Sequence, residues 1–530
     1  MALTKVSFSM ITGAPVNPLD YGATGTGGGD DTAGLQAAID ACPVGGLVYG
    51  NGLTYRTTGV TISDAITVEG VNLLMFQKTP AQTSQDAFTI AANGVRLVNC
   101  GAITNETALP NTTNSAGVYS VGNSNVLIDG GEWIGSISKD YTPGNWRGVI
   151  YIEGGEDCVV QNTITRDAFG EGLWIWNSLR AQCLNNKAYN AGGSEVVFYS
   201  DYGLMEGNIL VGNAVAGNSG AAVGGDYVTI ANNEIIDASG WGITHGEIPA
   251  LGGLITGNTI TGYNNDTTDP AQKSGINSQN ADGLVVSNNI VRGSRPGTVA
   301  PGIVFGNGPK VFTCDGNYIE NTTGQGIYVL DGTGGIAQGS IRNNTIRNPL
   351  SWHIYVGNVL QIDISNNTLN NAYLSGTFDF FVYLEFPTAT PEFIRITNNV
   401  MESNTVSYTS CILLNSTLSS STQYIQHGNY LTNWTSAPFS SGRNCNYDVR
   451  NDNYGVSPKS GLVTLTNGGT TTTVTSIQVS SKSVITLELG NAAASTLNPV
   501  YRISTQADGS FTITHTAGTA AGEQLRWTII

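Results

Sequence analysis

The sequence predicts an all-β protein: a right-handed parallel β-helix solenoid with a short N-terminal helical cap and a C-terminal β-sandwich-like domain. Three observations carry this. A strand–turn–strand pattern recurs along the chain, reading apolar, x, apolar, x, Asn or Gly, Asn, x, apolar. The apolar positions alternate, which is the period of a strand and not of a helix. The composition is rich in Gly, 68 of 530 residues, and only 12% charged, which suits short strands broken by tight turns.

Residues 16–57, VNPLDYGATGTGGGDDTAGLQAAIDACPVGGLVYGNGLTYRT, contain Asp30-Asp31-Thr32 ahead of an Ala-rich stretch. That predicts an N-capped helix of about ten residues. Gly45-Gly46 ends it, and LVYGNGLTYRT begins the first strands. The span 21–95 is therefore an opening segment with a capping helix, and a structural capping role is expected for Asp30 and Asp31.

The coils follow over 96–454, about thirteen in number. Their marker reads VTIANNEI at 228–235, LVVSNNIV at 284–291, IDISNNTL at 362–369 and IRITNNVM at 394–401. Taking the second Asn gives Asn162, Asn186, Asn208, Asn233, Asn258, Asn289, Asn317, Asn344, Asn367, Asn399 and Asn429, at steps of 22 to 32 residues. Gly101 and Gly131 take the equivalent place in two earlier coils. A repeat of this length is the signature of a solenoid. A second strand follows each marker, as in GVIYIE (148–153), GLWIWN (172–177) and EVVFYS (195–200). Stacked coils bring like residues to about 4.8 Å, so Asn side chains can form ladders. After Tyr454 the marker disappears, and 455–530 contains alternating strands such as SFTITHTAG (510–518) and EQLRWTII (523–530).

Several function classes are disfavoured. The net charge is −17 with only 22 Lys plus Arg, whereas phosphate binding needs clustered cations, so no nucleic acid is expected. No run of 18 apolar residues predicts membrane insertion, and MALTKVSFSMITGAP lacks a signal-peptide core. The seven Cys show no C-x-x-C pair, and Cys183 and Cys314 are read as buried thiols of a chain folding in a reducing cytoplasm. With four His, none paired at ligand spacing, neither a metal nor a cofactor is expected.

The segment DYGATGTGGGDDTAGLQAAID…GGLVYGNGLTY resembles the opening of the pectate-lyase-like superfamily, and MALTKVSFSMITGAPVN resembles the start of bacteriophage tailspike chains. The likeness covers residues 1 to about 450. It implies a virion-attachment segment at 1–20 that meets a phage tail or baseplate protein, and a homotrimer held by 455–530 as a trimerisation domain. It also implies a place in the virion tail and a bacterial surface polysaccharide as partner.

The second strands of the early coils are where the repeat stops being bland. Aligned on Gly148, Gly172, Glu195, Gly220 and Gly242, the inward positions read Val149 and Tyr151, Leu173 and Ile175, Val196 and Phe198, Ala221 and Val223, Ile243 and His245. Trp174, Trp176 and Tyr199 then face outward, as a candidate platform for sugar stacking. Candidate catalytic carboxylates gather at the same strands: Asp201, Asp226, Glu153, Glu171 and Glu247. By this alignment Asp201 and Asp226 occupy the same place on adjacent coils, about 5 Å apart along the backbone, with Glu153 two coils from Asp201, about 10 Å. Retaining glycosidases need carboxyl groups about 5–5.5 Å apart and inverting ones about 6.5–9.5 Å, so both spacings are available. Arg147 aligns beside Glu171 and could orient it or hold an acidic sugar. His245 points inward by parity, yet a twist at its strand end would turn it to the groove as a base.

Three functions follow from this reading. The first is a tailspike depolymerase hydrolysing capsule or O-antigen by paired-carboxylate endoglycosidase chemistry. The second is a polysaccharide lyase acting on uronates, for which only Arg147, His245 and Tyr199 stand ready. The third is a non-catalytic receptor-binding fibre.

Overall fold

The computed structural model describes residues 13–76, 86–105, 116–136 and 148–529, apart from 169, 213–218, 247, 265–272, 295–298, 307–309, 331–335, 371–380, 387–390, 403–411, 415–421, 432–438, 442–446, 450–459, 467–469, 476–478, 480–482, 490–500 and 516–523. Arg147 and Glu247 lie outside the described residues. So does the proposed attachment segment up to residue 12.

The described chain is a parallel β-helix. One wall is a fifteen-stranded parallel sheet, beginning at Val60–Ile62 and ending at Phe439–Ser441. Two of its strands precede residue 96 and thirteen follow. The remaining walls form a continuous thirty-stranded sheet with two strands per regular coil, joined at the Asn-marked bend. Every strand of a coil pairs with its counterpart in the next, as in Val159↔Gln182, Val160↔Cys183 and Gln161↔Leu184.

The marker divides into two physical roles. Its first position is a turn in the left-handed region: Asn185 has φ 53°, Asn232 55°, Asn343 55°, and Gly207 70° where Gly replaces Asn. Asn and Gly are the residues that tolerate this conformation. Its second position builds a buried ladder from Asn186 to Asn429. Asn233 Oδ1 accepts from Asn208 N–H (3.0 Å) and Nδ2 (2.8 Å), while Asn233 Nδ2 donates to Asn258 Oδ1 (2.9 Å) and to Met205 O (3.1 Å). A buried amide is tolerated because each of its bonds is made.

Asn162 is not the first rung, contrary to the sequence alignment. It is the left-handed turn residue (φ 56°), and Thr163 holds the rung, donating Oγ1 to Asn186 Oδ1 at 2.7 Å. Gly131 does hold the equivalent place, but in the coil before it that place is Cys100, not Gly101.

Inside, stacked apolar residues such as Ile150, Leu173, Val196, Ala221, Ile243 and Ile276 form one continuous core. Cys183 and Cys314 are buried within it, and burial pushes the Cys183 thiol up to about 12. The N-terminal end is closed by a helix, Thr32–Ala41, that buries Leu35, Ala38 and Ile39. The two aspartates divide the capping work: Asp30 Oδ1 accepts from Thr32 N–H (3.0 Å), and Asp31 ties the preceding loop by accepting from Thr24 N–H (2.6 Å).

Near the C-terminus the pairing becomes antiparallel. Ser460–Thr464, Gln524–Ile529 and Ile485–Leu489 form one three-stranded sheet, and Thr471–Thr475, Ser510–Thr514 and Arg502–Ala507 another. They share a separate core that includes Val474, Phe511, Ile513, Leu525 and Trp527. No described helix is long and apolar enough to cross a membrane.

Candidate functional site

The fifteen-stranded sheet carries the candidate site, but its register corrects the sequence alignment at the first coil. Ile150 pairs with Leu173, Tyr151 with Trp174, Ile152 with Ile175 and Glu153 with Trp176. Ile150 and Ile152 therefore point inward, fully buried, and Tyr151 points outward. The cause is one extra residue at the strand start, where Val149 and Ile150 N–H both donate to Gly172 O (3.1 and 3.4 Å). Such a bulge reverses side-chain parity.

Glu153 consequently does not align with Asp201. It shares a row with Trp176 and, two coils on, Tyr199. A second irregularity, between Ile175 and Ser178, places Asp201 opposite Leu179. Glu153 accepts instead from the Tyr151 hydroxyl at 2.6 Å.

The corrected register brings five rings into one run. Tyr119 stacks on Tyr151 (centroids 5.4 Å), Tyr151 on Trp174 (5.8 Å), Trp174 meets Trp176 (5.6 Å), and Trp176 meets Tyr199 (4.3 Å). Trp174 and Trp176 are half-buried and Tyr199 is 5% exposed, packed with Val197 and Ala222. Tyr151 was missed in the sequence because the bulge hid its parity, and Tyr119 because the alignment began one coil later, at Gly148.

Asp201 ends its strand, Asp226 lies two residues past the next, and they share a cavity of about 300 Å³ with Trp176, Asn177, Ser178, Tyr199, Gly225, Ile248 and Pro249. Each also has a structural bond. Asp201 Oδ1 accepts the Asp226 N–H at 2.8 Å, and Asp226 Oδ1 accepts the Leu251 N–H at 2.7 Å. The same turn repeats this bond one oxygen at a time along the helix: Ser124 Oγ accepts Glu156 N–H (3.1 Å) and Asp282 Oδ1 accepts Val311 N–H (3.1 Å). The carboxylates thus complete the turn with one oxygen, leaving the second for the cavity.

The residues that follow them were also missed. Tyr202 and Tyr227 adopt left-handed backbone (φ 54° and 55°), stack on each other at 5.3 Å, and are 61% and 52% exposed. Bulky residues in this region carry strain. The cue in the sequence was the repeated Asp-Tyr dipeptide at 201–202 and 226–227.

Two other candidates fall away from this cavity. Glu171 is 3% exposed at the opposite end of its strand, and its carboxylate packs so close to Gly193 that a Cβ there would lie 2.4 Å from Oε1. His245 is fully buried in the inward row between Val223 and Ser278. Burial lowers its pKa to about 4, so it stands neutral in the core and not in the groove. Among the described residues, no group of three or more His, Cys, Asp or Glu could hold a metal ion.

No protein-family description and no curated protein sequence matches this chain. Solved structures do match in fold. A mutant tailspike protein of E. coli bacteriophage HK620 in complex with a pentasaccharide aligns over 97% of this chain and 93% of its own, at 10% identity and a TM-score of 0.52. A double mutant of that tailspike, also with pentasaccharide, aligns over the same shares at 10% identity and a TM-score of 0.51. A further double mutant aligns over 97% and 93% at 12% identity and a TM-score of 0.50. The likeness is one of fold, and it extends over almost the whole length of both chains.

Proposed function

We propose that this chain is a phage tailspike depolymerase that binds a host bacterial surface polysaccharide, capsule or O-antigen, and hydrolyses it within the chain. The observation that carries the reading is the cavity in which Asp201 and Asp226 meet Trp176 and Tyr199. Aromatic rings offer the C–H face of a sugar a place to pack, and the coils bearing the two carboxylates stack about 4.8 Å apart along the backbone. That lies near the separation at which one carboxyl protonates the glycosidic oxygen and the other attacks the anomeric carbon. Water then cleaves the glycosyl-enzyme ester and restores both groups. A tailspike sharing the fold is described with a pentasaccharide bound, which supports the ligand class.

A homotrimer joined through 455–530 and mounted on the phage tail through the first ~20 residues completes this reading. The experiment is to incubate the chain with polysaccharides of candidate host strains and weigh the products. Gain of water marks hydrolysis, and an ultraviolet-absorbing double bond marks a lyase. Asp201→Asn and Asp226→Asn are expected to keep polysaccharide binding and lose oligosaccharide release. Full release by both variants overturns the assignment.

One observation favours the non-catalytic fibre as a second reading: the bond from each aspartate to a backbone N–H in the next coil. Polysaccharide that is retained but never shortened would decide for it.

A further inference from the structure

The same outward row of the fifteen-stranded sheet carries a second group of rings. From Trp174 the register runs through Val197, Ala222, Thr244, Asn277 and Val304 to Tyr328, Tyr355 and Tyr383. Tyr328 lies 4.9 Å from Tyr355, and Tyr355 lies 5.5 Å from Tyr383. Trp352, from the turn before the strand, stacks on Tyr355 at 5.2 Å and on Tyr383 at 4.7 Å.

A carboxylate accompanies this group as one accompanies the first. Glu385 stands two residues after Tyr383, as Glu153 stands two after Tyr151, in the neighbouring outward row. It accepts from the Tyr355 hydroxyl at 3.0 Å, as Glu153 accepts from Tyr151 at 2.6 Å. Tyr328, Trp352, Tyr383 and Glu385 are half-buried, with Tyr355 beneath them at 8% exposure. Between the two groups Ala222, Thr244 and Asn277 are buried, so the groups are separate surfaces. Five coil steps part the Asp226 coil from the Tyr355 coil, about 24 Å.

We propose that Trp352, Tyr383, Tyr328 and Glu385 form a second, non-catalytic glycan-binding site. Trp352 and Tyr383 pack against the C–H face of a neutral hexose unit, and the Glu385 carboxylate accepts one of its hydroxyls. Glu385 is tied to the rings through the Tyr355 hydroxyl, whereas Asp201 and Asp226 share one cavity. A polymer held at both places gains effective concentration at the cavity. The inference shares its ligand class with the proposed function and does not require that function's chemistry.

The test uses affinity electrophoresis of the full chain in gels cast with purified O-antigen and capsular polysaccharides, in an Asp201→Asn background to prevent cleavage. Trp352→Ala with Tyr383→Ala is expected to weaken retention about tenfold, and Glu385→Gln about threefold, with release from short oligosaccharides unchanged in the Asp201 parent. Glu385→Gln keeps the packing, so it decides if the double variant melts early. Undiminished retention in Glu385→Gln and in a folded double variant overturns the inference. Retention lost in these variants, with no cleavage by the parent, sustains this site and removes the hydrolase reading. Failure of Asp201→Asn to be retained by any of the polysaccharides, with no cleavage by the wild type, overturns both.

Discussion

At the scale of single residues, the ladder and the buried histidine give opposite lessons about polar groups in a core. Asn289 sits mid-ladder, bonded to Asn258 and Ile255 O on one side and to Asn317 on the other. Asn289→Ala strands the Asn258 amide and backbone N–H and is expected to destabilise by roughly 3 kcal/mol, measured by denaturant unfolding of the full chain. Neither ring nitrogen of His245 has a hydrogen-bond partner among the described residues, nor does Ser278 Oγ beside it. Its pKa falls from 6.5 to about 4 on folding. Between those values the unfolded chain binds the extra proton, so stability is lost as pH falls from 6.5 towards 4, by roughly 3 kcal/mol. The melting temperature is expected to fall over that window, and His245→Leu to flatten the slope. Unchanged slopes in the two proteins would refute the assignment. The inward place of His245 was legible from alternation alone. The buried place of Glu171 was not, because a carboxylate at a strand start looks solvated until the next coil is laid over it.

At the scale of the strand, alternation was a good guide wherever pairing was regular and failed where one residue was inserted. The rows of Trp174, Val197 and Ala222 follow from counting, as does the adjacency of Asp201 and Asp226. Tyr151, Ile150 and Ile152 were reversed by the bulge at Val149, and Glu153 was displaced by the irregularity after Ile175. Neither leaves a mark in composition, since both depend on which carbonyl a backbone N–H selects. The strand Ala221–Gly224 offers a direct test of the ring platform. A Cβ on Gly224 would lie 2.5 Å from Tyr199 Cε1, so Gly224→Ala must move that ring. Polysaccharide binding is expected to weaken about tenfold, read by affinity electrophoresis, while the melting temperature shifts by only a few degrees.

At the scale of the whole molecule, the coils were countable because each repeats the same turn, whereas assembly was not. The two antiparallel sheets near the C-terminus have their own core. Under the proposed assembly, sedimentation of the full chain gives three chain masses, and removal of 455–530 gives one. A full chain that sediments as a monomer would refute the trimer.

The Asn-marked bend has a consequence for how such a chain can change. The bend joins its two strands with a fixed two-residue link, as at Asn185-Asn186 or Asn232-Asn233. The variation in coil length is absorbed elsewhere, in stretches such as 190–195, 212–220 and 264–275 that lead into the fifteen-stranded sheet. They meet that sheet at its strand starts, whereas Asp201 ends its strand and Asp226 follows the next. Insertions and deletions there leave the amide ladder in register, so the segments that enter the fifteen-stranded sheet can vary in length while the scaffold is inherited intact.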